Sequence, residues 1–186
     1  MDQIQPSVNQ NSRTAFVWLN FACQQDIILI KEVRTVLDLN NIEQYRENNR
    51  LEAKLALGGL PHSIWETYSA FANAEGGIIL LGVEEYRDKS LHPVDLPDPE
   101  GLIDKFLSLL NDTRVVSANI LGPDDVTVEL ADNCRIVVIR VPAAPHRLLP
   151  VFIGQNKWTG SYIRRGEGDI RLRPEEIFLM LRRSEV

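Results

Sequence analysis

The stretch Ala70-Phe71-Ala72-Asn73-Ala74-Glu75-Gly76-Gly77, followed by Ile78-Ile79-Leu80-Leu81-Gly82-Val83-Glu84-Glu85, constrains the fold of this chain more than any other. Ile64, Tyr68, Phe71 and Ala72 recur at helical spacing, which predicts a helix with one apolar face. Asn73 and the glycine pair predict its end, because glycine enters the left-handed conformation without a Cβ clash. The unbroken apolar run from Ile78 to Val83 then predicts a strand buried on both faces, in the middle of a sheet. A helix, a tight turn and a central strand in direct succession leave few architectures open.

The flanking segments extend this pattern. Leu51, Ala53, Leu55 and Leu57 alternate with Glu52, Lys54 and Ala56, predicting a strand over 51–57 that Gly58-Gly59 ends. Pro61 and Ser63 suit a helix start. Arg87 to Pro99 reads as a loop, and Pro99 to Leu110 as an amphipathic helix with Leu102 and Phe106 inward. Val126–Leu130 and Arg135–Val141 predict a hairpin about Ala131-Asp132-Asn133. Pro142 to Pro150 reads as a linker, and Pro150–Ile153 as a strand pairing with Ser161–Arg165. Pro174-Glu175-Glu176 opens a last helix whose acids and terminal Arg182-Arg183 match the helix dipole. The expected class is α+β, a mixed or antiparallel sheet packed with helices. Residues 1–40 read as a partly disordered N-terminal extension, with helix or strand plus helix over 13–39, and residues 41–186 as the domain.

No apolar run approaches the roughly 20 residues that span a bilayer, so no membrane partner is expected. Cys23 and Cys134 stand alone, which fits a reducing, cytoplasmic setting. The net charge of -6 is uneven: Met1–Asn133 carries 10 Lys+Arg against 21 Asp+Glu, and Cys134–Val186 carries 10 against 5. An acidic chain is a poor non-specific polyanion binder, but a basic final third can form a patch.

Three constellations bear on chemistry. Glu47, Glu52, Glu84 and Glu85 are strand-borne or strand-flanking carboxylates, the oxygen ligands that Mg2+ and Mn2+ prefer. Lys54 shares a strand face with Glu52, which makes a plain ion pair the default reading. Gly76-Gly77 follow a helix and precede a strand with no Lys after them, the reverse of a phosphate loop, so an ATP site is rejected. The basic segment sets Arg140, Arg147, Lys157, Arg164, Arg165, Arg171 and Arg173 among Trp158 and Tyr162, a mixture suited to backbone contacts and base stacking. His62, His92 and His146 are scattered and show no triad or metal spacing.

Together, three blocks resemble the AlbA-type Schlafen domain: Glu47-Asn48-Asn49-Arg50-Leu51-Glu52-Ala53-Lys54; Ala70 to Glu85; and Pro150-Val151-Phe152-Ile153, then Ser161-Tyr162-Ile163-Arg164-Arg165-Gly166, then Pro174-Glu175-Glu176-Ile177. The resemblance covers residues 43–183. It implies the family's α+β fold and a nucleic-acid-binding role, as the DNA-binding domain of a transcriptional regulator. Lys54, Arg147, Lys157, Tyr162, Arg164, Arg165, Arg171 and Arg173 are the contact residues expected for DNA or structured RNA. An alternative implied by some members is a metal-dependent endoribonuclease, whose three acids fall on Glu47, Glu52 and Glu85 with Mg2+ or Mn2+. Here Glu85 stands where those members carry Asp, Ala53 replaces the aromatic beside Glu52, and Asn48 replaces a Ser. Nuclease members pair two lobes, so one lobe implies a homodimer. A third alternative is a dimerisation or interaction domain of a larger protein.

Overall fold

In a computed structural model, residues 37–184 are described. The expected partly disordered extension, and the helix or strand plus helix within it, lie outside them over residues 1–36. A 3-10 helix, Leu39–Gln44, is followed by β1 (Leu51–Lys54), α1 (Ile64–Ala72), β2 (Gly77–Leu81), β3 (Val83–Glu85), β4 (Leu91–Pro93) and α2 (Pro99–Leu110). Then come β5 (Val126–Ala131), β6 (Cys134–Val141), a 3-10 turn at His146–Leu148, α3 (Lys157–Gly160, a single turn), β7 (Tyr162–Arg165), β8 (Gly168–Arg171) and α4 (Pro174–Ser184). The main sheet has the order β1-β2-β6-β5, with β1 parallel to β2 and the other pairs antiparallel; β3-β4 and β7-β8 form two separate ribbons. The class is α+β with a mixed sheet, as the sequence implies.

β2 is central because both its faces are apolar. Ile79 and Leu81, with Val137, Ile139 and Val141 of β6, meet Phe71 and Tyr68 of α1 and Phe106 of α2 in the main core. Trp65 and Phe106 lie face to face, ring centroids 5.4 Å apart. On the opposite face Leu80, Ile136 and Val138 are also buried, and the 3-10 helix packs beside β4 and β5, with Ile42 fully enclosed. Gly76 and Gly77 make the turn between α1 and β2. Gly76 has φ +78, and a Cβ there would meet Val141 O at 2.7 Å; a Cβ on Gly77 would meet the Phe71 ring at 2.8 Å. Close approach of helix, turn and β6 requires both residues to lack a side chain.

Several sequence expectations need correction. The strand over 51–57 stops at Lys54, since Ala56 has φ +54 and turns the chain; Leu55 and Leu57, expected on the buried face with Leu51 and Ala53, lie beyond the strand and are exposed. The strand over 78–83 breaks at Gly82 (φ +86), which hands the chain from the main sheet to the β3-β4 ribbon. The loop over 87–99 contains β4, and the linker over 142–150 contains the 3-10 turn. The pairing of 150–153 with 161–165 reduces to one bridge, Phe152 with Ser161, because β7 pairs instead with β8. The β5-β6 hairpin turns through Asp132 (φ 47) and Asn133 (φ 63), both suited to the left-handed region. Among the described residues no helix is long and apolar enough to cross a membrane.

Candidate nucleic-acid interface and its acidic neighbour

The acidic residues are brought to one end of β1 and β3. Glu47 lies just before β1 and its Oε1 accepts the Ala53 N–H at 2.9 Å. Burial pushes the Glu47 pKa up; the Ala53 hydrogen bond opposes this, and the neighbouring charges of Glu52 and Glu85 add to the rise. The three acids therefore share one electrostatic neighbourhood. The folded state favours protonated Glu47, so its stabilising contribution is full below the ordinary Glu pKa and is lost as pH rises through the raised value. Glu47→Gln, which keeps an acceptor for Ala53, is expected to gain stability relative to the parent at pH 7 and to lose that advantage near pH 4. Urea titrations at the two pH values measure this.

Whether these acids fit a metal is decided by their partners. Both Glu52 oxygens are engaged: Oε1 with Lys54 Nζ at 2.8 Å and Oε2 with Arg164 Nη2 at 2.7 Å. Glu85 Oε2 meets Lys89 at 3.2 Å, while Oε1 is buried without a hydrogen-bond partner among the described residues. Among the described residues no three His, Cys, Asp or Glu side chains are placed to hold a metal ion. One orphaned oxygen does not make a ligand set, and the central acid is already neutralised by two cations. As arranged, Glu47, Glu52 and Glu85 do not fit Mg2+ or Mn2+.

The cations split into engaged and free. Arg164 is interior, its side chain 1% exposed. It bonds Glu52, donates from Nη1 to Asp169 Oδ1 at 2.9 Å and from Nε to the Asn48 carbonyl at 3.0 Å, and lies over the Phe71 ring at 5.2 Å. Burial pulls its pKa down, but Asp169 and Glu52 outweigh this and hold it above its ordinary value. Asp169 Oδ2 in turn accepts from Thr67 Oγ1 at 2.6 Å. Lys54 is held by Glu52, and Arg165 and Arg173 both pair with Glu176. The Arg173 N–H, then its side chain, then Arg165 hold Glu176 down to about 2. Tyr162 is buried; its hydroxyl donates to Glu66 Oε1 at 3.1 Å and accepts from Arg171 Nη2 at 3.2 Å.

Arg147, Lys157 and Arg171 form no ion pair among the described residues, and Arg147 and Arg171 are exposed. They sit in neighbouring elements. The 3-10 turn bearing Arg147 and the α3 turn bearing Lys157 both pack on α4, and β8 ends at Arg171 just before α4 begins. Trp158 of α3 and Phe178 of α4 lie 5.0 Å apart between ring centroids, both exposed.

A residue that sequence reasoning treated as a turn former organises this region. Asn73 Nδ2 donates to Val151 O at 2.7 Å and Tyr162 O at 2.8 Å, and Oδ1 accepts Val151 N–H at 2.8 Å. Ser69 Oγ donates to Val151 O at 2.8 Å and accepts the Tyr162 N–H at 3.0 Å. The available signal was Ser69 and Asn73, four residues apart and so on one side of a helix whose other residues are mostly apolar: polar side chains buried there must find partners.

The family model "Schlafen, AlbA_2" matches residues 47–173. Among solved structures, the N-terminal domain of a RecG-related protein from Nitrosomonas europaea is 29% identical, with TM-score 0.53, over 72% of this chain and 90% of that one. A Corynebacterium diphtheriae protein is 16% identical, with TM-score 0.51, over 87% of this chain and 29% of that one, a likeness of fold. No protein of curated function matches.

Proposed function

Because this chain belongs to the Schlafen AlbA_2 family, we propose that it is a DNA-binding domain of a transcriptional regulator, gripping the phosphate backbone with Arg147, Lys157 and Arg171. The observation that carries this reading is the contrast among the cations. Lys54, Arg164, Arg165 and Arg173 are engaged with carboxylates, whereas these three are not. A cation already neutralised by a carboxylate releases few counterions from a phosphate, and a free one releases about one. Exposed Trp158 and Phe178 add ring faces beside Lys157. The related Nitrosomonas domain comes from a protein named after a DNA helicase, which agrees in kind.

Replacing Arg147, Lys157 and Arg171 together by alanine is expected to weaken duplex binding at least tenfold at moderate salt. It should also reduce the slope of log affinity against log salt by up to about 3. The paired change Arg165→Ala with Arg173→Ala should move that slope much less. Fluorescence anisotropy across a salt series gives both numbers; an unchanged slope in the triple variant removes this surface from consideration. The ribonuclease alternative requires Glu52 to leave both Lys54 and Arg164, and for that reason stands behind the binding reading.

A further inference from the structure

A second feature lies beside Arg171. An open pocket of about 610 Å3 is bounded by the start of α1, the segment around Ile153–Gly154, the end of α3, and Tyr162 and Arg171. That volume is in the range of small-molecule sites. Trp65, Val115, Ile153 and Tyr162 give it apolar and aromatic walls, while Gly154 and Gly160 leave part of the lining without side chains. Two ionised groups of opposite sign face it. Glu66 receives one hydrogen bond among the described residues, from Tyr162 to Oε1, so Oε2 is unengaged. Arg171 donates once, from Nη2 to Tyr162, and its other N–H groups remain available. Tyr162 thus fixes both charges without neutralising either.

We propose that this pocket binds one unpaired nucleotide, with guanine preferred: Arg171 takes the phosphate and Glu66 takes the base edge. A carboxylate offers about four acceptor sites and no donor. Guanine presents two adjacent donors on its pairing edge, N1–H and the exocyclic amine, which a carboxylate accepts in a bidentate arrangement. Uracil presents one donor flanked by two carbonyl oxygens, which a carboxylate repels. The proposal takes its ligand class from the nucleic-acid-binding reading, but the pocket is separable from that surface through Glu66, which belongs to the pocket alone.

The test uses the full chain with guanosine 5′-monophosphate and uridine 5′-monophosphate as probes, followed by NMR shifts of the tryptophan indoles, with duplex binding measured in parallel. The guanine nucleotide is expected to bind about tenfold or more tighter than the uracil one. Glu66→Gln, which keeps an acceptor for the Tyr162 hydroxyl, should abolish that ratio, and Arg171→Ala should weaken both nucleotides about tenfold. Equal binding of the two nucleotides, or a preference that survives Glu66→Gln, overturns the proposal. So does absence of nucleotide binding in a protein that still binds duplex. Guanine-selective binding by a protein that ignores duplex would keep the pocket and overturn the wider reading.

Discussion

Arg164→Ala is expected to lower the stability of the domain by about 3–5 kcal/mol, the range for removing one partner of a buried ionic cluster. Arg164 bonds Glu52 and Asp169, both only 13% exposed, and carbonyls of Asn48 and Leu51. Without the guanidinium, two enclosed carboxylates face each other across the space it filled. At roughly 2–4 °C per kcal/mol for a domain of this size, the melting temperature should fall by about 10 °C. Arg164→Lys should recover little, because one ammonium cannot bridge two carboxylates and two carbonyls in a planar fork. Urea denaturation measures the loss. A change below about 1 kcal/mol would show that water replaces the guanidinium, and the network would then be a surface feature.

Asn73→Ala is the second large effect, at about 3 kcal/mol. The change leaves the Val151 N–H and the carbonyls of Val151 and Tyr162 short of partners in the interior, and each unsatisfied buried group costs about 1–3 kcal/mol. Ser69 still serves the Val151 carbonyl, so the three losses do not simply add. Asn73→Asp is expected to be worse at pH 7, since a carboxylate can accept but cannot donate to two carbonyls. Hydrogen exchange at the Val151 amide reports the same event locally. Protection there should collapse in Asn73→Ala, while amides of the β5-β6 hairpin fall only with global stability.

The backbone plan was largely legible, and particular residues explain where it was not. The helix over 64–72, the glycine turn, the central strand and the β5-β6 hairpin follow from local periodicity and turn chemistry. The end of β1 and the break at Gly82 did not, because Leu55, Leu57 and Val83 continue the apolar pattern while the backbone turns at positive φ. The cations were the harder case. Alternation placed Tyr162 and Arg164 on one face of β7, and the structure agrees, but that face is the inner one. An arginine in a basic segment reads as solvent-facing unless its carboxylates are known. One of those comes from β1, far away in sequence, and the other from β8, a strand the sequence reading missed. Similarly, the pair of Glu52 with Lys54 follows from their shared strand face, but Glu52 changes meaning once Arg164 is seen on its other oxygen.

The polar bonds around α1 also dictate an order of assembly. They join positions far apart along the chain: Arg164 to Glu52 across 112 residues, Thr67 to Asp169 across 102, and Asn73 to Tyr162 across 89. Closing loops of that length costs entropy before any of these bonds forms, whereas the β5-β6 hairpin closes locally. During synthesis α1 and the strands it covers emerge first, and Thr67, Ser69 and Asn73 stay without their partners until the stretch from Val151 to Asp169 has been made. The stretch from Val151 to Asp169 therefore supplies the polar partners that α1 needs, and a chain cut before it leaves the buried side chains of Ser69 and Asn73 without them.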